Sequence, residues 1–259
     1  MASTTEARSW EQLPPFLEAI APDDQVLVVA ATGGAKSTLI ATLTLDVPSL
    51  VAIDSKGRLT LPRARVVQLP EYDPKAPERY DAALREALAW QTGQRQSLAD
   101  RLRGIPREHP TDRVILRPAH TDVDDPAPHD RIFRAVMRYR PDTLVWVDEI
   151  TGTGATAHTT PRHLRALSSR GRTQGTGLLT ASQAPFGLTP GILRRNARVL
   201  ILGTIEPEDA KDVHRRDVDV ALAIRPKTGR FVVWVSGDPD SPYRLYLPIP
   251  PELRRWEAP

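Results

Sequence analysis

The chain has 259 residues, no cysteine and a formal net charge of only +3. The lack of cysteine excludes disulfides and thiolate metal sites, and the small net charge does not by itself require a nucleic-acid partner. The opening residues, MASTTEARSWEQLPPF, lack the apolar core of a signal peptide, and no run approaches the ~20 apolar residues of a membrane span. We therefore expect a soluble, intracellular protein.

An α/β fold is predicted by the composition and by the order of the elements. Hydrophobic residues make up 40% of the chain and aromatic residues only 5%, which favours an aliphatic core. Short apolar runs bounded by turn residues are typical of strands buried on both faces, as in a parallel sheet. Because these runs alternate with helical patterns, we predict a three-layer, doubly wound α/β/α fold with a mostly parallel central sheet.

In chain order, the predicted strands are Gln25–Ala31, Leu50–Asp54, Arg65–Leu69, Arg113–Arg117, Thr143–Asp148, Gly177–Ala181 and Arg198–Gly203. The predicted helices are Lys36–Leu45, Pro77–Leu102, His129–Tyr139, Pro161–Ser169 and Leu188–Asn196. Two apolar runs around residues 226–229 predict a hairpin, and YRLYLPIP predicts a last strand, so an antiparallel C-terminal edge should close the sheet. We divide the chain into a lead-in at 1–24, one large domain at 25–250 and a tail at 251–259.

Two stretches are predicted to be loops or insertions. Gln91–Pro110 is polar and rich in arginine and glutamine, and Thr151–Thr160 consists almost wholly of small and hydroxylated residues. The second stretch offers too little apolar surface to be held rigid by its own packing.

A phosphate-binding loop is indicated between the first strand and the first helix. The motif for such a loop is G-x-x-x-x-G-K-[ST], in which backbone N–H groups wrap a phosphate, the lysine reaches the β- and γ-phosphates and the hydroxyl binds Mg²⁺. Lys36 and Ser37 satisfy the last two requirements, but Ala30 and Ala35 replace the two glycines. Alone, the pattern also fits an ordinary strand-to-helix turn of small residues.

The candidate ATP-binding residues are those of the loop and the start of its helix: Thr32, Gly33, Gly34, Ala35, Lys36, Ser37 and Thr38.

A second candidate element is the apolar strand that ends in Asp148 and Glu149. Beside a phosphate-binding loop, the first carboxylate can hold Mg²⁺ together with Ser37, and the second can polarise an attacking water. A strand capped by two surface acids is the alternative for this segment alone. The combination with Lys36 and Ser37 favours a nucleotide hydrolase.

Three further residues are candidates for catalysis. Gln183 follows the strand Gly177–Ala181, where it could sense the γ-phosphate or orient water, or simply cap the strand. Arg170 and Arg172 precede that strand, and an arginine from a neighbouring subunit often stabilises the charge of phosphoryl transfer. Surface arginines favoured by a helix C-terminus are the alternative for both.

As an ordered set, these motifs resemble the HerA–FtsK superfamily of ring-shaped, DNA-pumping ATPases. AATGGAKST resembles its phosphate-binding loop, VAIDSKGRL its second-strand D-x-K-G element and LVWVDEI its Walker B strand with the catalytic glutamate. RGRTQGTGLLTASQAP resembles its block of arginine, strand and T-Q-x-P, with Arg172 at the arginine-finger position and Gln183 at the sensor position. LRRNARVLILG resembles the element that follows, and serine before Gln183 departs from the usual threonine.

The resemblance implies a RecA-like ATPase domain that hydrolyses ATP with Mg²⁺ and drives double-stranded DNA through a ring, a hexamer or a pentamer. Within the superfamily, this short chain looks most like a viral genome-packaging ATPase, located in the host cytoplasm or at a capsid vertex and partnered there by a vertex or portal protein. A plasmid or mobile-element DNA-transfer ATPase and a non-pumping, ATP-dependent switch are the alternatives.

The charge distribution adds support from the residues themselves. No Asp or Glu lies between Ile150 and Ile205, whereas seven arginines do. The excess makes one region locally electropositive. Within it, Thr151–Thr160 is a candidate DNA-facing loop, although an ordinary surface loop fits the same composition.

Overall fold

The computed structural model describes residues 24–31, 35–44, 47, 49–61, 64–89, 112–183, 189–203, 231–235 and 243–246. Several predicted parts lie outside the described residues: 1–23 of the lead-in, residues Thr32 to Gly34, the predicted loop Gln91–Pro110, the first arm and turn of the C-terminal hairpin, and the tail. The division of the chain into three parts therefore stays a prediction.

The described strands form one twisted layer, a nine-stranded sheet with the order β3-β4-β2-β5-β6-β1-β7-β8-β9. Strands β1 to β7 pair in parallel, whereas β8 and β9 are antiparallel. The predicted fold class, including the antiparallel C-terminal edge, is confirmed. The strands are β1 (Gln25–Val29), β2 (Ser49–Ile53), β3 (Ala64–Gln68), β4 (Asp112–Arg117), β5 (Leu144–Val147), β6 (Gly177–Ser182), β7 (Val199–Leu202), β8 (Phe231–Val235) and β9 (Tyr243–Tyr246).

The five helices of the described residues lie on both faces of the sheet. On one face, Leu39 and Ile40 of α1 pack against alternate strand residues such as Val26 and Val28. On the other face, the remaining helices cover the strand residues of opposite parity, such as Val145 and Val147. Because helices cover both faces of the sheet, successive side chains of the central strands are all buried, and almost all of them are apolar. The helices are α1 (Lys36–Leu43), α2 (Pro77–Leu88), α3 (Pro126–Tyr139), α4 (Arg162–Arg170) and α5 (Gly191–Asn196).

Helix α2 ends earlier than its sequence pattern predicts. Ala89 has left the helical conformation, with φ −58° and ψ 132°, so the prediction of one helix through Leu102 is wrong. The carbonyl of Ala87 accepts a hydrogen bond from Arg65, and that of Leu88 accepts one from Arg140. These side chains satisfy carbonyls that a continuing helix would have used.

Helix α3 begins earlier than predicted, at Pro126. The Asp125 side chain accepts a hydrogen bond of 2.8 Å from the backbone N–H of Ala127 and caps the helix. An aspartate followed by proline is a sequence signal for a helix start, and it places the boundary before the apolar pattern begins.

Among the described residues, none of the helices combines the length and the apolar character that a membrane span requires.

Candidate active site

The carboxyl ends of neighbouring parallel strands bring the predicted motifs together. Strands β2, β5, β6 and β1 are adjacent in that order, so the residues that follow them meet at one edge of the sheet. Lys36 follows β1, the Asp148-Glu149 pair follows β5 and Gln183 follows β6. This edge is where open α/β sheets place their ligand sites.

Ala35, at the second glycine position of the loop motif, has a left-handed backbone conformation. It precedes α1 with φ 57° and ψ 25°. This conformation costs an L-residue roughly 1–2 kcal/mol relative to glycine. The replacement of glycine by alanine at this position therefore strains the backbone.

Ala30, at the first glycine position, is accommodated by a neighbouring glycine instead. Ala30 is fully buried, and a Cβ built on Gly203 at the end of β7 would lie 2.6 Å from the Ala30 Cβ. The backbone N–H of Gly203 donates to the carbonyl of Val29 at 2.9 Å. The absence of a side chain at Gly203 thus leaves space for the methyl group of Ala30, which the glycine of the usual motif does not have.

Lys36 is a buried cation that points back to the start of the loop. Its ammonium donates to the carbonyl oxygens of Ala30 and, at 3.0 Å, of Ala31. Burial lowers the pKa of Lys36 to about 8, against the opposing effect of the Glu149 carboxylate. The Lys36 ammonium would gain a fully charged partner if a phosphate replaced the carbonyls of Ala30 and Ala31, and its charged form would then be favoured.

Ser37 and Asp148 form a pair of oxygen donors that fits Mg²⁺. The Ser37 hydroxyl donates to the Asp148 carboxylate at 3.3 Å, and burial raises the pKa of that carboxyl. The described residues contain no cluster of three or more His, Cys, Asp or Glu that could enclose a metal ion. A hydroxyl and a single carboxylate suit Mg²⁺, which keeps most of its other ligands as water and substrate phosphates.

Glu149 is held by three groups at once. Its carboxylate accepts hydrogen bonds from the Thr151 hydroxyl at 3.1 Å and from the backbone N–H of Gln183 at 3.3 Å. It also forms an ion pair of 3.3 Å with the ammonium of Lys56. The side chain of Glu149 is only 8% exposed, so its position is well defined before any nucleotide binds.

Lys56 is a site residue for which the sequence analysis predicted no role. It belongs to the D-x-K-G element after β2, and β2 pairs directly with β5. The element's aspartate, Asp54, accepts hydrogen bonds from the backbone N–H of Leu59 and from Arg117. The D-x-K-G pattern was the available signal, because a turn anchored by Asp54 beside β5 directs its lysine toward the carboxylates that follow β5.

Gln183 contributes its backbone N–H to the group of residues around Glu149. The N–H that binds Glu149 belongs to the residue directly after β6, and the Gln183 side chain is exposed. Thr38 lies in the first turn of α1, and Thr32, Gly33 and Gly34 lie outside the described residues. The roles predicted for these residues stay predictions.

Arg170 and Arg172 lie at the opposite edge of the sheet from Lys36. They end α4 and occupy the following 3₁₀ turn, Gly171–Gln174, which leads into the amino end of β6. The six residues of β6 span about 20 Å between this turn and the site. Both side chains are exposed, and an arginine side chain is too short to cross this distance to Lys36.

The segment Thr151–Thr160 is more tightly packed than its composition predicts. Thr153 and Ala155 are buried, and Gly154 has φ +71° with the backbone of Pro126 2.7 Å from where a Cβ would stand. Further along, the Thr156 hydroxyl accepts hydrogen bonds from two backbone N–H groups. The glycines of this segment serve close packing and turn geometry, so contacts with neighbouring elements hold a segment whose own apolar surface is small.

Comparison with known proteins identifies the fold. No family sequence model matches the chain, and no curated protein sequence matches it. Among solved structures, the genome-packaging NTPase B204 from Sulfolobus turreted icosahedral virus 2, in complex with sulfate, is 15% identical with a TM-score of 0.55. The match covers 89% of this chain and 99% of that one.

Two further solved structures are similar to the same degree. The bacterial conjugative coupling protein TrwBdeltaN70 is 14% identical with a TM-score of 0.55, and the match covers 94% of this chain and 93% of that one. VirB4 of Thermoanaerobacter pseudethanolicus is 13% identical with a TM-score of 0.56, and the match covers 90% of this chain and 91% of that one. The fold that the sequence resemblance implies is therefore confirmed.

Proposed function

We propose that the protein is an Mg²⁺-dependent ATPase that drives double-stranded DNA into a viral capsid. The observation that carries the proposal is the meeting of Lys36, the Ser37–Asp148 pair and Glu149 at one edge of the sheet. The fold shared with a packaging NTPase crystallised with AMPPCP supports a nucleoside triphosphate as the ligand.

Lys36 and Glu149 would perform the chemistry in two roles. The Lys36 ammonium exchanges the loop carbonyls for the β- and γ-phosphates of ATP, and charge pairing holds it protonated there. Glu149 orients a water and takes its proton as the water oxygen bonds to the γ-phosphorus. The bond from that phosphorus to the β–γ bridging oxygen breaks, and ADP leaves.

Ser37 and Asp148 would hold Mg²⁺ beside the bound nucleotide. Bound there, Mg²⁺ supplies positive charge that offsets the charge developing on the phosphate oxygens.

A ring is needed to complete the site. Arg172 and Arg170 are at the far edge of the sheet, exposed, and too distant to contact the nucleotide of the same chain. In a head-to-tail ring, here a hexamer or a pentamer, that edge faces the nucleotide of the next subunit. An arginine supplied from the neighbour stabilises the charge of phosphoryl transfer.

Duplex DNA is the proposed cargo, and the host cytoplasm or a capsid vertex the proposed location. The segment without carboxylates, residues 150–205, carries seven arginines and follows the Walker B strand directly. Arginine side chains bind the phosphates of DNA without reading its base sequence, as a genome-packaging motor requires. A vertex or portal protein would then anchor the ring.

A DNA-transfer ATPase of a plasmid or mobile element is the second candidate. The similarity to TrwBdeltaN70 and VirB4, which is as high as the similarity to B204, favours it. Capsid genes next to the gene for this protein would favour packaging, and conjugation genes would favour transfer.

ATP hydrolysis with and without duplex DNA tests the function common to both candidates. We expect DNA to stimulate the rate several-fold and the Glu149→Gln variant to lose hydrolysis while still binding ATP. Slow hydrolysis that DNA leaves unchanged would indicate a nucleotide-dependent switch and would contradict the proposal.

A further inference from the structure

A second concave surface lies beside the active site, at the carboxyl ends of β2, β3 and β4. This cleft of about 560 Å³ is lined by the turn that carries Lys56 and Arg58, by Gln68 and Arg117 at the ends of β3 and β4, and by His120. The strand order places β2 directly next to β5. The turn after β2, which lines the cleft, therefore lies directly beside the end of β5 that carries Asp148 and Glu149.

The cleft presents donors and positive charge. Among the described residues that line it, the one carboxylate is Asp54, whose side chain has no exposed surface and accepts hydrogen bonds from Arg117 at 3.1 Å and from the N–H of Leu59 at 2.9 Å. Arg58 is exposed and forms no ion pair with the described residues, and His120 is also exposed. The net charge of the lining groups therefore favours an anion.

The turn is held by Asp54, which accepts hydrogen bonds from the backbone N–H groups of Gly57 and Arg58, and it leaves open space at Gly57. Gly57 has φ +68°, and nothing lies within 4 Å of where its Cβ would stand, so a ligand can approach the turn closely. The hydroxyl of Ser55 has no hydrogen-bond partner among the described residues, but it is buried and lies 3.2 Å from where a Cβ of Gly152 would stand, so it is not available to a ligand in the cleft. The open approach at Gly57 and the exposed side chain of Arg58 are the features of the turn that suit a phosphate.

Lys56 belongs both to the cleft and to the active site. Its ammonium contacts Glu149 at 3.3 Å, and its side chain is 37% exposed. An anion in the cleft would compete with Glu149 for this one cation. Occupation of the cleft can therefore change how firmly the catalytic carboxylate is held.

We propose that the cleft binds a backbone phosphate of duplex DNA and that this contact draws Lys56 away from Glu149, which frees the carboxylate to activate water. Without DNA, Lys56 acts as a restraint on hydrolysis. The inference rests on the proposed function and adds to it a site that couples DNA contact to catalysis. Lys56 is in this account a positioning residue, since it acts through Glu149.

ATPase rates of paired variants, measured against DNA concentration, test the proposal. Lys56→Met should raise the rate without DNA by about two- to five-fold, the effect of one half-exposed ion pair, and should remove most of the stimulation by DNA. Lys56→Arg should keep a low basal rate and the response to DNA. Lys75→Met, an exposed lysine outside the cleft, should behave as wild type.

The DNA-binding half of the proposal needs its own variant. Arg58→Ala should raise the DNA concentration for half-maximal stimulation several-fold and reduce the salt dependence of DNA binding by about one phosphate contact. Arg79→Ala, an exposed arginine on α2, is the matched control. Inorganic phosphate in place of DNA should not stimulate, because a single free ion gains no support from neighbouring contacts.

The outcomes distinguish a failure of the proposed function from a failure of this inference alone. A wild-type enzyme that DNA does not stimulate would contradict the proposed function and the inference together. If DNA stimulates wild type but Lys56→Met lowers the basal rate, or Arg58→Ala responds to DNA as wild type does, the inference alone fails. Stimulation by inorganic phosphate as strong as that by DNA would overturn the assignment to nucleic acid.

Discussion

Ala35 carries the clearest consequence of a single residue in this loop. Its positive φ costs roughly 1–2 kcal/mol relative to glycine. We expect Ala35→Gly to raise the free energy of unfolding by about this amount and to tighten ATP binding several-fold, because the binding conformation of the loop becomes easier to populate. Urea unfolding and titration with a non-hydrolysable ATP analogue measure the two effects.

Ala30→Gly is the matched control for that substitution. Ala30 is buried and has no positive φ, so glycine there relieves no strain and destabilises by about 0.5–1 kcal/mol. If Ala35→Gly and Ala30→Gly weakened ATP binding equally, the positive φ of Ala35 would not limit ATP binding, and the prediction would be wrong.

Lys36 predicts a pH dependence of nucleotide binding. Burial holds its pKa near 8 in the nucleotide-free protein, so the ammonium is lost as pH rises through 8, whereas bound phosphates favour the charged form. We expect the affinity for an ATP analogue to be constant below about pH 7.5 and to fall toward tenfold per pH unit above about pH 8.5. Calorimetric titrations should also show proton uptake on binding in this range.

The Lys36→Arg variant keeps its charge at every accessible pH. Its binding should be weaker but independent of pH over the same range. A wild-type affinity that does not change up to about pH 9.5 would mean that Lys36 is already fully protonated in the free protein.

The motifs and most elements were predictable from the sequence because apolar strands buried on both faces leave a strong pattern. Strand β1 was predicted through Ala31 and ends at Val29, since the loop carbonyls turn away to meet Lys36. The early end of α2 was not predictable, because it depends on Arg140, 52 residues later in the chain. The burial of Ala155 was not predictable for the same reason, since Ala155 packs into the apolar cluster that other elements form. Thr153, in contrast, is held locally, because its hydroxyl donates to the carbonyl of Ile150 at 2.7 Å.

The ends of α2, α3 and β4 are joined by one buried arginine. Arg140 has no exposed surface and contacts Asp112, which is 5% exposed, and the carbonyl of Leu88. We expect Arg140→Met to lower the free energy of unfolding by about 3–5 kcal/mol, because it leaves the Asp112 carboxylate buried without its partner. Urea unfolding followed by circular dichroism measures the loss.

Two further variants identify the cause of that loss. Adding Asp112→Asn to Arg140→Met removes the orphaned charge, so part of the stability should return. Arg138→Met, on the exposed side of α3, should change stability by less than about 0.5 kcal/mol. A double variant no more stable than Arg140→Met would assign the loss to packing alone.

At the scale of the whole molecule, the separation of Arg172 from Lys36 predicts active sites shared between subunits. Arg172→Ala and Glu149→Gln should each abolish hydrolysis in a uniform ring. Mixed in equal amounts, the two variants should regain activity, since about a quarter of the interfaces then combine an intact glutamate with an intact arginine from the neighbour. Steady-state ATPase rates across mixing ratios measure the recovery, and its absence at every ratio would contradict action across an interface.

The central claim, that ATP hydrolysis moves this protein along duplex DNA, is tested most directly by displacement of a triplex. A labelled third strand is annealed to a duplex, and its release is followed by fluorescence after ATP is added. The account predicts release that requires ATP and fails with Glu149→Gln. Hydrolysis stimulated by the same DNA without any release of the third strand would contradict it.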